Sequence, residues 1–178
     1  MDKPDRTAVL VWIRRLTYQP YRNSHPADID KILSTALRLG HTPIVLGNSP
    51  ERPLPRGATD LTEHWNEVKS FNDQLMLLRT LRQRGALLQV GVRSAALDTG
   101  AFMGIPTISI DPTPPTDRSG HLADVLPNYL EARQAEAIDA MEHLLAPSRV
   151  QIAFGWIQQE LYRTVRTVQQ IRRGRHLL

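Results

Sequence analysis

The chain contains no cysteine, so disulfides, thiol nucleophiles and metal sites built on Cys are all excluded. No apolar run approaches the ~20 residues that a membrane span requires. The opening segment, Met1-Asp2-Lys3-Pro4-Asp5-Arg6, lacks the charged-then-apolar plan of a signal peptide. The expectation is a cytoplasmic protein, or one exported without a recognisable signal peptide, with no membrane partner. Neither GxxxxGK[ST] nor GxGxxG occurs, which disfavours both P-loop nucleotide hydrolysis and a standard dinucleotide site. The six histidines include no pair with the spacing of a helical metal motif, so neither a metal nor a cofactor is expected. Lysine is also scarce: only Lys3, Lys31 and Lys69 stand among the 22 basic residues.

Arginine therefore carries the basic charge, and its planar fork suits bidentate contacts to phosphate. The net charge of +4 is small and dispersed, which fits a nucleotide better than a nucleic acid. A length of 178 residues with 41% hydrophobic content fits one domain with a sizeable core.

Strand-like and helix-like stretches alternate along the chain. Thr7 to Ile13 is almost wholly apolar and reads as a central parallel strand, followed by Arg14-Arg15 and a polar loop, Leu16 to His25. Ser24 and Pro26 suit the start of a helix that buries Ile29, Ile32, Leu33, Ala36 and Leu37 and ends at Gly40. Thr42 to Leu46 is a second strand, with Gly47-Asn48-Ser49 at its end, and Ala58 to Leu61 a short edge strand. Ser70 and Asp73 cap a helix reaching Arg84, with Leu75, Leu78 and Leu81 or Met76 inward. Ala86 to Val90, a turn at Gly91, a helix over Leu97 to Met103 and a strand ending at Ile110 come next. A proline-rich loop from Asp111 to Gly120 and a helical turn near Leu122 to Val125 precede a helix over Ala132 to Leu145, with Ala135, Ile138, Met141 and Leu145 at core spacing. The fold expected is an α/β, Rossmann-like parallel sheet with helices on both faces over residues 1–147. Beyond it, Val150, Phe154, Ile157, Leu161, Val165 and Val168 mark a long amphipathic C-terminal helix within 148–178, a natural contact for a second copy or a partner subunit.

Ligands of open parallel sheets bind beyond the carboxyl ends of the strands. Arg14 and Arg15 leave the first strand there, and alternation sends them to opposite sides. The turn from Val90 to Asp98 reaches the same edge. In it Gly91 permits a turn or a close ligand approach, and Ser94 caps a helix whose first amides, from Ala95 on, face an anion. Arg22 and Arg93 can join the set, and several guanidinium groups beside a helix N-terminus make a diphosphate site. Asp98 suits the helix dipole. Asp111 and the loop histidines His25 and His121 are the further titratable groups placed near this edge.

The segment Val9-Leu10-Val11-Trp12-Ile13-Arg14-Arg15 resembles the first motif of the α1,6-fucosyltransferases, where a strand ends in His-x-Arg-Arg. Val90-Gly91-Val92-Arg93-Ser94-Ala95-Ala96-Leu97-Asp98 is similar to their nucleotide-contacting turn, and Ile44-Val45-Leu46-Gly47-Asn48 falls at their middle motif. Here Trp12 stands where the family has His, and Leu16-Thr17 replace Thr-Asp. The resemblance implies the nucleotide-sugar-binding half of a GT-B glycosyltransferase and a metal-independent transfer from a GDP-sugar. It further implies that Arg15 holds the β-phosphate with Arg14 in support, and that Gly47, Asn48, Gly91, Arg93, Ser94, Ala95 and Asp98 lie around the nucleotide; Arg22 is added by its place in the loop at the same sheet edge. Two alternatives stand beside it. One is a noncatalytic nucleotide- or sugar-binding subunit. The other is a hydrolase of a nucleotide's N-glycosidic bond, served by Asp98 or Asp111.

Overall fold

A computed structural model describes residues 7–18, 20–68, 70–110 and 122–146. Six strands form one sheet, all neighbours parallel: β1 (Ala8–Ile13), β2 (Thr42–Gly47), β3 (Thr59–Asp60), β4 (Ala86–Val92), β5 (Thr107–Ile110) and β6 (Tyr129–Ala132). Their spatial order is β3-β2-β1-β4-β5-β6. That is the strand order of the doubly wound Rossmann-like fold. The helices are α1 (Pro26–Arg38), α2 (Thr62–Glu67), α3 (Phe71–Gln83), α4 (Ala95–Phe102) and α5 (Gln134–Leu145), with a single helical turn at 122–125.

Two apolar layers sandwich the sheet. On one face Val9, Val11, Ile13, Val90 and Ile108 pack with Ile32, Leu33 and Ala36 of α1 and with Ala137 and Met141 of α5. On the other, Leu10, Trp12 and Leu46 meet Trp65 of α2, Leu78 and Leu81 of α3, and Leu97 of α4. Strand residues two apart share a face, so the unbroken apolar run of β1 serves both layers. Arg38 and Glu142 join α1 to α5 across the first layer.

A buried polar group fixes the second layer. Gln89 is fully buried in β4; it accepts from Trp12 Nε1 at 2.9 Å and donates to Leu97 O at 2.8 Å and to Thr107 Oγ1 at 2.7 Å. One amide thus ties β1, α4 and β5 to the centre of the sheet. A Cβ on Gly100 would lie 2.3 Å from Gln89 Oε1, so the small residue in α4 makes room for this amide. Trp12 also meets Trp65 edge-on, centroids 4.8 Å apart at 86°, a favoured arrangement for aromatic pairs.

Several local expectations give way. Ser24 does not cap α1: His25 holds that position, and the Ser24 hydroxyl accepts from Arg14 N at 2.9 Å instead. Met76 points outward, at 57% exposure, because Leu78 and Leu81 already fill the inward face of α3. Residues 129–132 are a strand, which delays α5 and puts Ala137 in the core while Ala135 is exposed. Helix α2 was not expected; Asp60 Oδ1 accepts from both Thr62 N, at 2.9 Å, and Thr62 Oγ1, at 2.7 Å, and starts it. The long helix expected within 148–178 and the proline loop at 111–120 lie outside the described residues.

Replacing Gln89 by Leu roughly keeps the volume, strips the Trp12 N–H of its partner and takes one hydrogen bond from the Leu97 carbonyl. The variant should lose about 2–4 kcal/mol of unfolding free energy in a urea titration. A loss below about 0.5 kcal/mol would mean that this amide does not organise the core.

Candidate functional site

The two halves of the sheet part between β1 and β4. Chain leaving β1 passes to α1 on one face, and chain leaving β4 passes to α4 on the other. Crossovers that diverge in this way open a crevice at the carboxyl ends of the two strands, the usual ligand position in open α/β sheets.

Arg14 is the first residue beyond β1, 8% exposed, and its Nη1 donates to Arg93 O at 2.7 Å. Arg93 is the first residue beyond β4, 4% exposed, and its backbone N donates to Ile110 O at the end of β5. The structure therefore brings Arg14, Arg93 and Ser94 to one place. Ser94 caps α4 through its hydroxyl, which accepts from Leu97 N at 3.2 Å, while its carbonyl accepts from Asp98 N. Of the first four helix amides those two are thereby used, and the remaining two belong to Ala95, which is exposed, and Ala96.

Arg15 lies on the other side of the strand end. It is exposed, and its Nη2 pairs with Glu51 Oε1 at 3.3 Å near the start of α1. Asn48 accepts from Arg15 N at 2.7 Å through Oδ1 and donates its own N–H to Ile13 O at 2.9 Å. Gly47 has φ +91, and a Cβ there would lie 2.3 Å from Ile13 O. These two residues hold the rim between β1 and β2 rather than the β1–β4 crevice. Arg22 belongs to a short helical turn, Pro20–Arg22, in the loop after β1.

Gly91 plays a part that differs from the one expected. It lies within β4, paired with Trp12 and Ser109, and its φ is not positive. A Cβ there would stand 2.6 Å from Trp12 Cβ and Trp12 O. The glycine admits the neighbouring strand, and the turn proper is Arg93-Ser94.

Asp98 sits in the first turn of α4, 7% exposed, and accepts from the Tyr129 hydroxyl at 2.9 Å through Oδ1. Burial pushes the Tyr129 phenol well above its ordinary value of 10.0; the Ser109 hydroxyl pulls it down, the Asp98 charge and hydrogen bond raise it further, and the Arg93 charge lowers it. Tyr129 was missed at the sequence level. The signal available was Pro127-Asn128 before a β-prone Tyr-Leu, and Asn128 does anchor the start of β6, donating to Ala101 O at 3.0 Å and Ile105 O at 2.8 Å.

His25 is exposed at the start of α1, while Asp111 and His121 lie outside the described residues. His41 is structural: its Nδ1 meets Thr7 Oγ1 at 2.5 Å and its Nε2 meets Leu145 O at 3.3 Å. Among the described residues no cluster of three His, Asp or Glu side chains could hold a metal, and no helix is long and apolar enough to cross a membrane.

Two predictions follow from this geometry. Gly91→Ala should lower stability by about 1–3 kcal/mol through overpacking against Trp12, as read by denaturant unfolding with no ligand present; an unaffected fold would return Gly91 to the list of ligand contacts. Tyr129 keeps its proton in the folded state after the unfolded chain has lost it, so its contribution is complete below pH 10 and falls as pH rises past that value. Above pH 10 the wild type should therefore lose up to about 1.4 kcal/mol per pH unit more than Tyr129→Phe, and parallel stability curves for the two proteins would show that the phenol is not held neutral. No protein-family model and no curated protein sequence matches this chain.

Proposed function

We propose that this chain binds a nucleotide-linked sugar, a GDP-sugar in the first place, with the diphosphate in the β1–β4 crevice, and that it acts in the manner of a metal-independent glycosyltransferase. The observation that carries the reading is the meeting of Arg14 and Arg93 at the first turn of α4, where the Arg14 guanidinium lies 2.7 Å from Arg93 O. Fixed positive charge beside helix amides favours an anion. The same groups would stabilise a departing diphosphate as the sugar–phosphate bond breaks. The resemblance of the segments around Arg14 and Ser94 to the α1,6-fucosyltransferases points the same way. Arg15, exposed on the rim with Glu51, would have to give up a weak surface ion pair and swing toward the crevice to meet a phosphate oxygen.

One observation favours a noncatalytic binding subunit as the second reading. Asp98 is buried and committed to Tyr129, which suits an anchor for α4 better than a general base or a hydrolytic nucleophile.

Ala95 offers a clean test because it is exposed at the first position of α4. Ala95→Glu places a carboxylate where the phosphate would sit, and acidic residues at a helix start do not destabilise it. Calorimetric titration should show the wild type and Ala95→Gln binding GDP and a GDP-linked sugar, and Ala95→Glu weakened at least about tenfold by like-charge repulsion. Equal affinities in all three, or no response of the wild type to millimolar GDP, UDP, ADP, NAD or their sugar derivatives, would overturn the reading. Release of GDP from the GDP-sugar separates transfer from binding alone.

A further inference from the structure

The loop between β1 and α1 carries two aromatic side chains into solvent. Tyr18 is 72% exposed and Tyr21 is 62% exposed. An exposed ring on a loose loop means little, but this loop is pinned. Arg14 N donates to Ser24 Oγ at 2.9 Å and Ser24 N donates back to Arg14 O at 2.9 Å, which closes the feet of the loop. Inside that closure the Asn23 side chain bridges Leu16, accepting from its N at 2.8 Å and donating to its O at 3.1 Å. Asn23 N then donates to Pro20 O at 3.1 Å and tightens the turn that holds Tyr21. Ser24 and Asn23 thus hold the loop's shape, while the rings of Tyr18 and Tyr21 stay exposed.

Position gives these rings a use. The feet of the loop rest on Arg14, whose guanidinium reaches Arg93 O in the crevice. Four residues of chain reach at most about 14 Å, so the backbone of Tyr18 stays within that distance of the Arg14 backbone, on the loop that leaves the carboxyl end of β1. The other exposed aromatics among the described residues, Phe71 and Phe102, belong to α3 and α4. Among the described residues, the exposed rings on the loop that leaves β1 are these two.

We infer that Tyr18 and Tyr21 form a stacking platform for the nucleobase of the nucleotide whose phosphates occupy the β1–β4 crevice, an inference that rests on the nucleotide reading above. Aromatic stacking accepts any base because every base presents a π-face. The platform therefore strengthens GDP, ADP and UDP alike, and preference among bases comes from hydrogen bonds made elsewhere.

The test titrates GDP and inorganic pyrophosphate into the full chain, as wild type, Tyr18→Ala/Tyr21→Ala and Tyr18→Phe/Tyr21→Phe. Both rings are solvent-exposed, so thermal midpoints of the three proteins should agree. Loss of the rings should weaken GDP about 5- to 100-fold, leave pyrophosphate unchanged, and be rescued by the phenylalanine pair. GDP binding equally to wild type and the alanine pair overturns the platform while leaving the nucleotide reading intact. Equal weakening of GDP and pyrophosphate overturns it too, by placing the loop at the phosphates. A wild type that binds neither probe overturns both.

Discussion

The side-chain amide of Gln89 is the constraint on which the crevice depends. It is fully buried between β1, β4, α4 and β5, and it accepts one hydrogen bond and donates two. A buried amide with missing partners is costly, whereas a satisfied one admits only one arrangement of its neighbours. Here it fixes the carbonyl of Leu97, hence the first turn of α4, against β1 and β5. Gly100 is small because this amide passes beneath it, and Gly91 is small because Trp12 does. The direction in which α4 presents its opening amides is therefore decided in the core, one turn below the surface where a ligand would meet them.

Charge at the same edge is arranged by alternation along the strand. Arg14 turns inward to Arg93, and Arg15 turns toward Glu51 in the loop after β2. In the proposed reading, likeness to the α1,6-fucosyltransferases would give the β-phosphate to Arg15. The geometry gives the crevice position to Arg14, with Arg15 left at the rim. Asp98 and Tyr129 complete the arrangement by tying α4 to β6 through a neutral phenol held by burial.

Much of this was legible in the sequence, for physical reasons that differ along the chain. The β-branched, largely apolar runs of β1, β4 and β5 are short and read as strands buried on both faces, and Gly40 and Gly85, both at positive φ, mark helix ends. That was enough for a parallel α/β sheet and for the edge where Arg14 and Ser94 meet. What stayed hidden depends on partners distant in sequence. Gly91 looks like a turn residue until Trp12, on the adjacent strand, occupies the space of its missing side chain. Ser24 looks like a helix cap until the backbone of Arg14 claims its hydroxyl. The strand Tyr129–Ala132 has four residues, too few for alternation to show, and its Glu and Ala suit a helix equally well. The partition of the two arginines was readable as a split, but not which of them would turn inward.

The central claim is that an anionic group of the ligand sits between Arg14 and the start of α4. Backbone amide shifts of the nitrogen-15-labelled chain, followed as GDP is added, read that position residue by residue. The account predicts saturable shifts largest at Ser94, Ala95 and Ala96, with Arg14 and Arg93 following them at the same dissociation constant. Shifts confined to the open groove of about 630 Å³ lined by Pro50 to Ala58 and Asp60, with the α4 amides unmoved, would contradict it.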